Sequence, residues 1–172
     1  MPTKIADLDI GLDRDIFLRN LLRELSGTLE EVVGFDEASG FISIVGQQIA
    51  EWINQSYLDA LGQENLSYEQ VVDVLIDLKQ RIRGGFYLKS ADKDKIILGN
   101  NCCPFGDKVL ERNSLCMMTS NIFGTIVAEN LGFAKICLHK TIANGDKECE
   151  ITVYLEDNDE ARIDSGNEYF AT

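Results

Sequence analysis

Residues 133–155 read FAKICLHKTIANGDKECEITVYL, and this stretch decides the fold class. Two apolar-rich segments, Phe133–Ala143 and Lys147–Leu155, flank the pair Asn144-Gly145. Asn-Gly is typical of tight turns between antiparallel strands, because both positions tolerate a positive φ. The stretch therefore predicts a β-hairpin in the C-terminal part of the chain.

The turn of this hairpin decides which side chains share a face. A two-residue turn pairs Lys140 with Cys149 and places Cys137 and His139 on the face opposite Cys149. A three-residue turn pairs Thr141 with Cys149 and brings Cys137 and His139 onto its face. Hydrophobic matching favours the first register, and a four-ligand metal site that includes Cys137 requires the second, so both stay open.

Helical patterns dominate the N-terminal half. Apolar residues recur at helical spacing over 13–33, where Gly27 is a candidate break, and again over 47–61 and 67–82. Ser67 and Gln70 form a capping box at the start of the third segment. Between the first two segments, the β-branched run 41–45 predicts a short strand.

The pattern changes after residue 84. The segments around Phe86 and Leu88 and around Ile96 and Leu98 predict two short strands, and a helix is expected from Asn113 or Ser114 to Leu131. The predicted fold class is therefore α+β: N-terminal helices followed by a small antiparallel sheet with an inserted helix. We expect one domain over residues 1–156 and an acidic, flexible tail over 157–172.

Composition excludes several classes of partner. The formal net charge of −13 would repel a phosphate backbone and an anionic lipid surface, so neither nucleic acid nor membrane is an expected partner. The N-terminal residues lack the apolar segment of a signal peptide, and no apolar run reaches the ~20 residues of a membrane span. We therefore expect a cytoplasmic protein with reduced cysteines.

All five cysteines follow residue 101: Cys102, Cys103, Cys116, Cys137 and Cys149. Cys103 precedes a proline, which favours an extended backbone, and Cys102 should then point the other way. Cys116 falls in the first turn of the predicted helix, where amide groups and the helix dipole stabilise a thiolate. Spacing alone also permits simple burial of small apolar side chains.

The segments NCCPFGDKVLERNSLCMMTSNIFGTIVAENLGFAK and TIANGDKECEITVYL resemble the methanogen output domain family, as does GLDRDIFLRNLLRELSGTLEEVVGFDEASGFISIVGQQIAEWIN. That family looks related to the 4-vinyl reductase sensor domains, which share a helix-borne cysteine and a hairpin with Ala143, Gly145 and Cys149 in this pattern. The C-P-F segment also resembles the C-terminal region of iron–sulfur biogenesis repressors.

These resemblances imply a metal site and a signalling role. The ligands they imply are Cys103, Cys116, Cys149 and Cys137, with His139 as the alternative fourth ligand, around zinc or an iron–sulfur cluster. The implied function is a sensor or output domain that binds such a centre or a small ligand and signals through a protein partner.

Two other functions were weighed from the residues. We expect the protein to form a homodimer through its N-terminal helices. In the first alternative function, a non-metal interaction or dimerisation module, the contact would use the helical stripe of Phe17, Leu21 and Leu25, although such a stripe usually faces the chain's own core. A cysteine-dependent enzyme would have to pair Cys103 or Cys116 with His139. The chain has a single histidine and no phosphate-binding glycine loop, so we predict that it is not an enzyme.

Overall fold

The first helix, α1, spans Arg14–Val33 without a break. The computed structural model of the protein describes residue 5 and residues 9–171, so the first residues of the predicted domain (1–4 and 6–8) lie outside the described residues. Asp13 caps α1 by accepting a hydrogen bond from the backbone N–H of Ile16 at 2.8 Å. Gly27 does not interrupt the helix. It is buried, and the Arg112 guanidinium packs against it.

The second helix, α2, spans Phe35–Leu61. It includes residues 41–45, so the prediction of a strand there was wrong. Its buried residues recur at every fourth position: Ala38, Ile42, Gly46, Ala50, Asn54, Leu58. This helical repeat runs straight through the β-branched run and outweighs its strand propensity. Gly46 is a packing position, since a Cβ there would lie 2.8 Å from Cβ of Asn121.

The third helix, α3, spans Tyr68–Arg81 and begins at the predicted capping box of Ser67 and Gln70. A 3₁₀ turn at Asn113–Leu115 leads into the fourth helix, α4, at Cys116–Leu131. The predicted side-chain cap is absent there, because Ser114 is turned toward α1 and donates to the carboxylate of Glu30. None of the helices in the described part of the chain is long and apolar enough to cross a bilayer.

Five antiparallel strands form one sheet in the order β1-β2-β4-β3-β5. Their bounds are β1 Phe86–Ala91, β2 Lys95–Asn100, β3 Phe133–Lys140, β4 Cys149–Tyr154 and β5 Asn167–Phe170. Helix α4 packs between this sheet and α2, and the main core lies where these layers meet. The predicted α+β class is thus confirmed.

Over most of its length, the hairpin of β3 and β4 adopts the register in which apolar side chains face one another. Leu138 pairs with Ile151 and Cys137 pairs with Thr152, with an irregularity between Leu138 and Lys140. The connection is longer than either predicted turn, because a 3₁₀ turn at Ile142–Asn144 precedes Gly145 (φ 89°). Cys137 and His139 therefore do not share the face of Cys149, which the three-residue register had required. Beyond the irregularity Lys140 pairs with Glu150, so the pair Lys140–Cys149 that the two-residue turn predicts was wrong as well.

Residues 157–171 are ordered, contrary to the predicted flexible tail. They form the short helix α5 (Asp159–Ile163), capped by Asn158, and strand β5, which pairs with β3. Buried Ala161 packs against Cys137 and Tyr154 on the outer face of the sheet. Apolar positions hidden among the acidic residues thus hold this segment in place.

Candidate functional site

A cavity of about 300 Å³ lies between α1, α3, α4 and the inner face of the sheet. The segment between β2 and α4, which carries Cys103, forms a further wall. Most of the wall is apolar: Leu18, Leu22, Ile82, Phe86, Pro104, Phe105, Val109, Leu115, Met118, Ile122, Leu138, Ile142, Ala143, Ile151. An apolar cavity with a few polar groups is the usual form of a small-molecule site.

Three thiols line this cavity from three different elements. Cys103 lies on the segment after β2, Cys116 is the first residue of α4, and Cys149 is the first residue of β4. The sulfur of Cys149 accepts from the backbone N–H of Ile142 at 3.4 Å and from Nδ2 of Asn100 at 3.7 Å. The structure thus brings together three of the four predicted ligands around one space.

The other cysteines lie elsewhere. Cys137 is fully buried on the outer face of the sheet, beside Tyr154 and Ala161. The alternative fourth ligand, His139, lies on that face as well, where its Nε2 is 2.9 Å from Oγ1 of Thr152 and 3.3 Å from Oδ2 of Asp164. Cys102 is exposed and outside the cavity, as the alternation of side chains predicts.

Burial favours the protonated form of two cavity thiols, Cys103 and Cys116. It raises the pKa of Cys116 to about 12 and also raises the pKa of Cys103; the other cavity cysteines contribute in the same direction. Hydrogen bonding to Thr141 and the charge of Lys79 oppose the shift at Cys116 but do not offset the burial. The sequence-based argument from the helix N-terminus is therefore outweighed by desolvation.

Among the residues that the structure describes, no three or more His, Cys, Asp or Glu side chains are arranged to hold a metal ion. The three thiols surround the cavity without converging on a single point, and a metal would have to draw them inward. A ligand role for these cysteines remains a prediction.

Lys79, which the sequence analysis missed, lines the same cavity. It is 3% exposed, donates to Oγ1 of Thr119 at 2.8 Å, and its Nζ lies 5.1 and 5.3 Å from the ring centres of Phe123 and Phe86. Burial lowers the pKa of Lys79 to about 8, and the three cysteines act in the opposite direction. A sequence signal existed: Lys79 follows Leu75 by four residues, so it sits on the buried side of α3.

Helix α1 closes the cavity through Leu18 and Leu22, which stay 47% and 40% exposed. Polar contacts hold the helix to the segment between β2 and α4. Nη1 of Arg23 donates to the backbone carbonyls of Lys108 and Leu110 at 2.8 and 2.7 Å. The Glu30 carboxylate accepts from Ser114 and lies 4.0 Å from Arg112.

Two solved structures share this fold. One is the phenol-responsive sensory domain of the transcription activator PoxR with phenol (12% identity, 88% of this chain and 80% of that chain covered, TM-score 0.63). The other is a trafficking protein particle complex subunit 3 from Naegleria fowleri covalently bound to palmitic acid (12% identity, 91% and 99% covered, TM-score 0.56). At this identity the likeness concerns the fold alone.

No functionally curated protein matches the sequence. Residues 21–154 match methanogen output domain 1, and this span takes in α1 from Leu21 onward, α2 to α4, and the strands β1 to β4. All three cavity cysteines and Lys79 fall within it. The chain therefore belongs to the methanogen output domain 1 family, as the resemblance in its sequence predicts.

Proposed function

We propose that this protein is a sensor domain whose cavity binds a small molecule and whose helix α1 passes the state of the cavity to a protein partner. The observation that carries the proposal is that α1 both lines the cavity and exposes apolar side chains on the surface. Leu18 and Leu22 line the cavity, whereas Phe17, Leu21 and Leu25 on the same helix are 55%, 41% and 58% exposed. A ligand that displaces the first pair would also move the second set.

The character of the cavity supports a binding role. Its walls are largely apolar, and its polar groups are few and fixed in place by hydrogen bonds. The two proteins that share the fold were solved with phenol and with palmitic acid, which are both small apolar molecules carrying one polar group.

The placement of the histidine favours binding over catalysis. A cysteine nucleophile needs a base within hydrogen-bond reach. His139, the single histidine of the chain, lies on the outer face of the sheet, whereas Cys103 and Cys116 line the cavity on the inner side. The chain's histidine thus supplies no partner for either cavity thiol.

We further propose that the partner surface of α1 and α2 receives a second copy of this chain. Exposed apolar side chains continue from α1 onto α2 at Phe41, Ile44 and Trp52, which are 54%, 59% and 69% exposed. Exposed apolar side chains on these two helices are of the kind that associates in water. A surface shared by both copies closes as a symmetric dimer.

Methyl-resolved NMR titration with octanoate, octan-1-ol and phenol tests the cavity. We expect at least one of these molecules to shift the methyl signals of Ile122, Leu138 and Ile151 in a saturable way. Leu18→Trp should abolish the shifts because the indole would fill the cavity from α1. Leu21→Trp is the matched control on the exposed side of the helix and should bind as the wild type does.

Absence of saturable shifts from all three molecules would contradict the proposal. So would binding that persists in Leu18→Trp with the same methyl signals affected, because the ligand would then lie outside the space described here.

A second candidate is a zinc ion or iron–sulfur cluster held by Cys103, Cys116 and Cys149. One observation favours it: three thiols from separate elements surround one space, as a preorganised thiolate site requires. Their arrangement in the described part of the chain does not itself form a metal-holding group, so metal binding would require these side chains to move. A metal held in this way would lower the pKa of each coordinating thiol.

Anaerobic purification followed by metal analysis and an absorbance spectrum tests this candidate. It predicts bound metal that is lost in Cys103→Ser, Cys116→Ser and Cys149→Ser and retained in Cys102→Ser, since Cys102 is outside the cavity. Wild-type protein free of zinc and iron would exclude it.

A further inference from the structure

Two lysines are buried among the residues that the structure describes, and their surroundings differ. Lys79 is 3% exposed and Lys135 is 6% exposed. Lys135 lies on the outer face of the sheet, with its Nζ 3.4 Å from the carboxylate of Glu168 on β5. Its charge therefore has an anionic partner, which is the ordinary condition for burying a lysine.

Lys79 has no such partner. No carboxylate among the described residues forms an ion pair with it; its neighbours are the hydroxyl of Thr119 and the rings of Phe86 and Phe123. One hydroxyl satisfies one of the three N–H donors of an ammonium group. The other two have no hydrogen-bond acceptor among the described residues, and a ligand in the cavity could supply one.

The charged residues of the cavity wall also leave Lys79 without an anionic partner. Asp15, Arg19 and Lys79 are the charged residues of the lining, and Asp15 and Arg19 form an ion pair with each other. Lys79 is thus the uncompensated charge of an otherwise apolar space.

From this geometry we infer that the ligand is a small apolar acid, whose carboxylate binds Lys79 and whose hydrocarbon part fills the space between Leu18, Ile122 and Leu138. This inference rests on the proposed function and specifies the ligand class of the same cavity. The volume of about 300 Å³ is at the lower end of ligand pockets, which span roughly 300–1,000 Å³, so the acid must be short.

Calorimetric titration of the whole protein with octanoate and with octan-1-ol tests the inference. The two molecules share a chain of the same length and differ in the charge of the head group. We expect the wild type to bind octanoate at least about tenfold more tightly, because only the carboxylate can form an ion pair with the Lys79 ammonium group.

Lys79→Met keeps the length and apolar stem of the side chain and removes the charge. We expect this variant to lose most of its affinity for octanoate and to bind octan-1-ol at least as well as the wild type does. Lys135→Met is the matched control: it removes a buried lysine remote from the cavity and should keep the wild-type preference. Circular dichroism establishes that both variants fold.

Equal or tighter binding of octan-1-ol by the wild type would overturn the inference, and this comparison needs no variant. Octanoate affinity that is unchanged in a folded Lys79→Met protein would overturn it as well. If octan-1-ol or phenol binds and octanoate does not, the inference of an acidic ligand is contradicted and the sensor proposal is still supported. If none of the three molecules binds, both the acidic ligand and the sensor proposal are contradicted.

Discussion

Cys116 is the first residue of α4 and also part of the cavity wall, and these two positions act on its thiol in opposite directions. The helix start favours a thiolate, whereas burial favours the neutral thiol. Burial dominates and raises the pKa to about 12. In the ligand-free protein Cys103 and Cys116 therefore act as weakly polar, uncharged groups of the cavity wall.

This state predicts a defined order of alkylation by iodoacetamide. Cys102 is exposed and should react first at pH 7.5, whereas Cys116 should react last together with Cys137, whose pKa burial raises to about 11. Because only the thiolate reacts, the rate at Cys116 should rise about tenfold per pH unit well into the alkaline range. Peptide mass spectrometry over time measures each rate; equal rates at Cys102 and Cys116 would contradict this account.

Two helical glycines offer a second prediction at this scale. A Cβ at Gly124 of α4 would overlap the ring of Tyr169 on β5, whereas a Cβ at Gly40 of α2 meets nothing within 4 Å. Gly124→Ala should lower the free energy of unfolding by about 1–3 kcal/mol. Gly40→Ala should raise it by up to about 1 kcal/mol, since alanine favours the helix.

Urea denaturation of both glycine variants gives these free energies. A neutral Gly124→Ala would mean that β5 is not docked on α4 through Tyr169, and the ordered C-terminal segment described here would be in question.

Lys79 shows what sequence reasoning can and cannot supply for single residues. The position of Lys79 on the buried side of α3 follows from the spacing to Leu75. Its nearness to Cys103 and Cys149 does not, because these three residues come from separate elements that only the tertiary fold brings together. For the same reason the sequence identified the cavity cysteines individually but left the fourth ligand open.

At the scale of elements, α1 depends on a small number of polar contacts. Arg23 holds the helix to the carbonyls of Lys108 and Leu110, and Glu30 accepts from Ser114. Elements held mainly by such contacts open more readily than core elements. This is the property that the proposed sensor requires of α1.

Arg23→Gln should loosen α1. Loss of the two charged hydrogen bonds, at roughly 1.5–3 kcal/mol for a bond of this kind, should speed amide exchange in α1 and around 106–110 by about tenfold or more. Arg14→Gln, at an exposed position of the same helix, is the matched control and should leave exchange unchanged. Hydrogen exchange with mass spectrometry that shows no difference between the two variants would contradict this role of Arg23.

Local signals predicted most elements, and long-range packing explains the exceptions. The capping box at Ser67 and the apolar match of β3 with β4 are local, and both appear as predicted. The run 41–45 looked like a strand because Ile42, Ile44 and Val45 are β-branched. It is instead part of the long helix α2, and α4 packs against this part of α2. The segment 157–171 looked flexible because it is acidic, although Ala161 and Tyr169 anchor it to the sheet and α4.

For the whole molecule, the exposed apolar surface of α1 and α2 predicts self-association. Leu21→Glu should shift a dimer toward monomer in sedimentation velocity at micromolar concentration, since a charge at the interface would be desolvated. Ile163→Glu is the matched control: Ile163 is 88% exposed but lies on α5, away from this surface. A wild type that sediments as a monomer would contradict the homodimer.

We propose that a ligand bound in the cavity alters helix α1. Hydrogen exchange of wild-type protein, with and without the ligand that saturates the methyl signals, tests it most directly; we expect that ligand to be octanoate. We expect altered exchange in α1 and in 103–116 and unchanged exchange in α5, which lies on the other face of the sheet. Saturated methyl signals with unchanged exchange in α1 would contradict it.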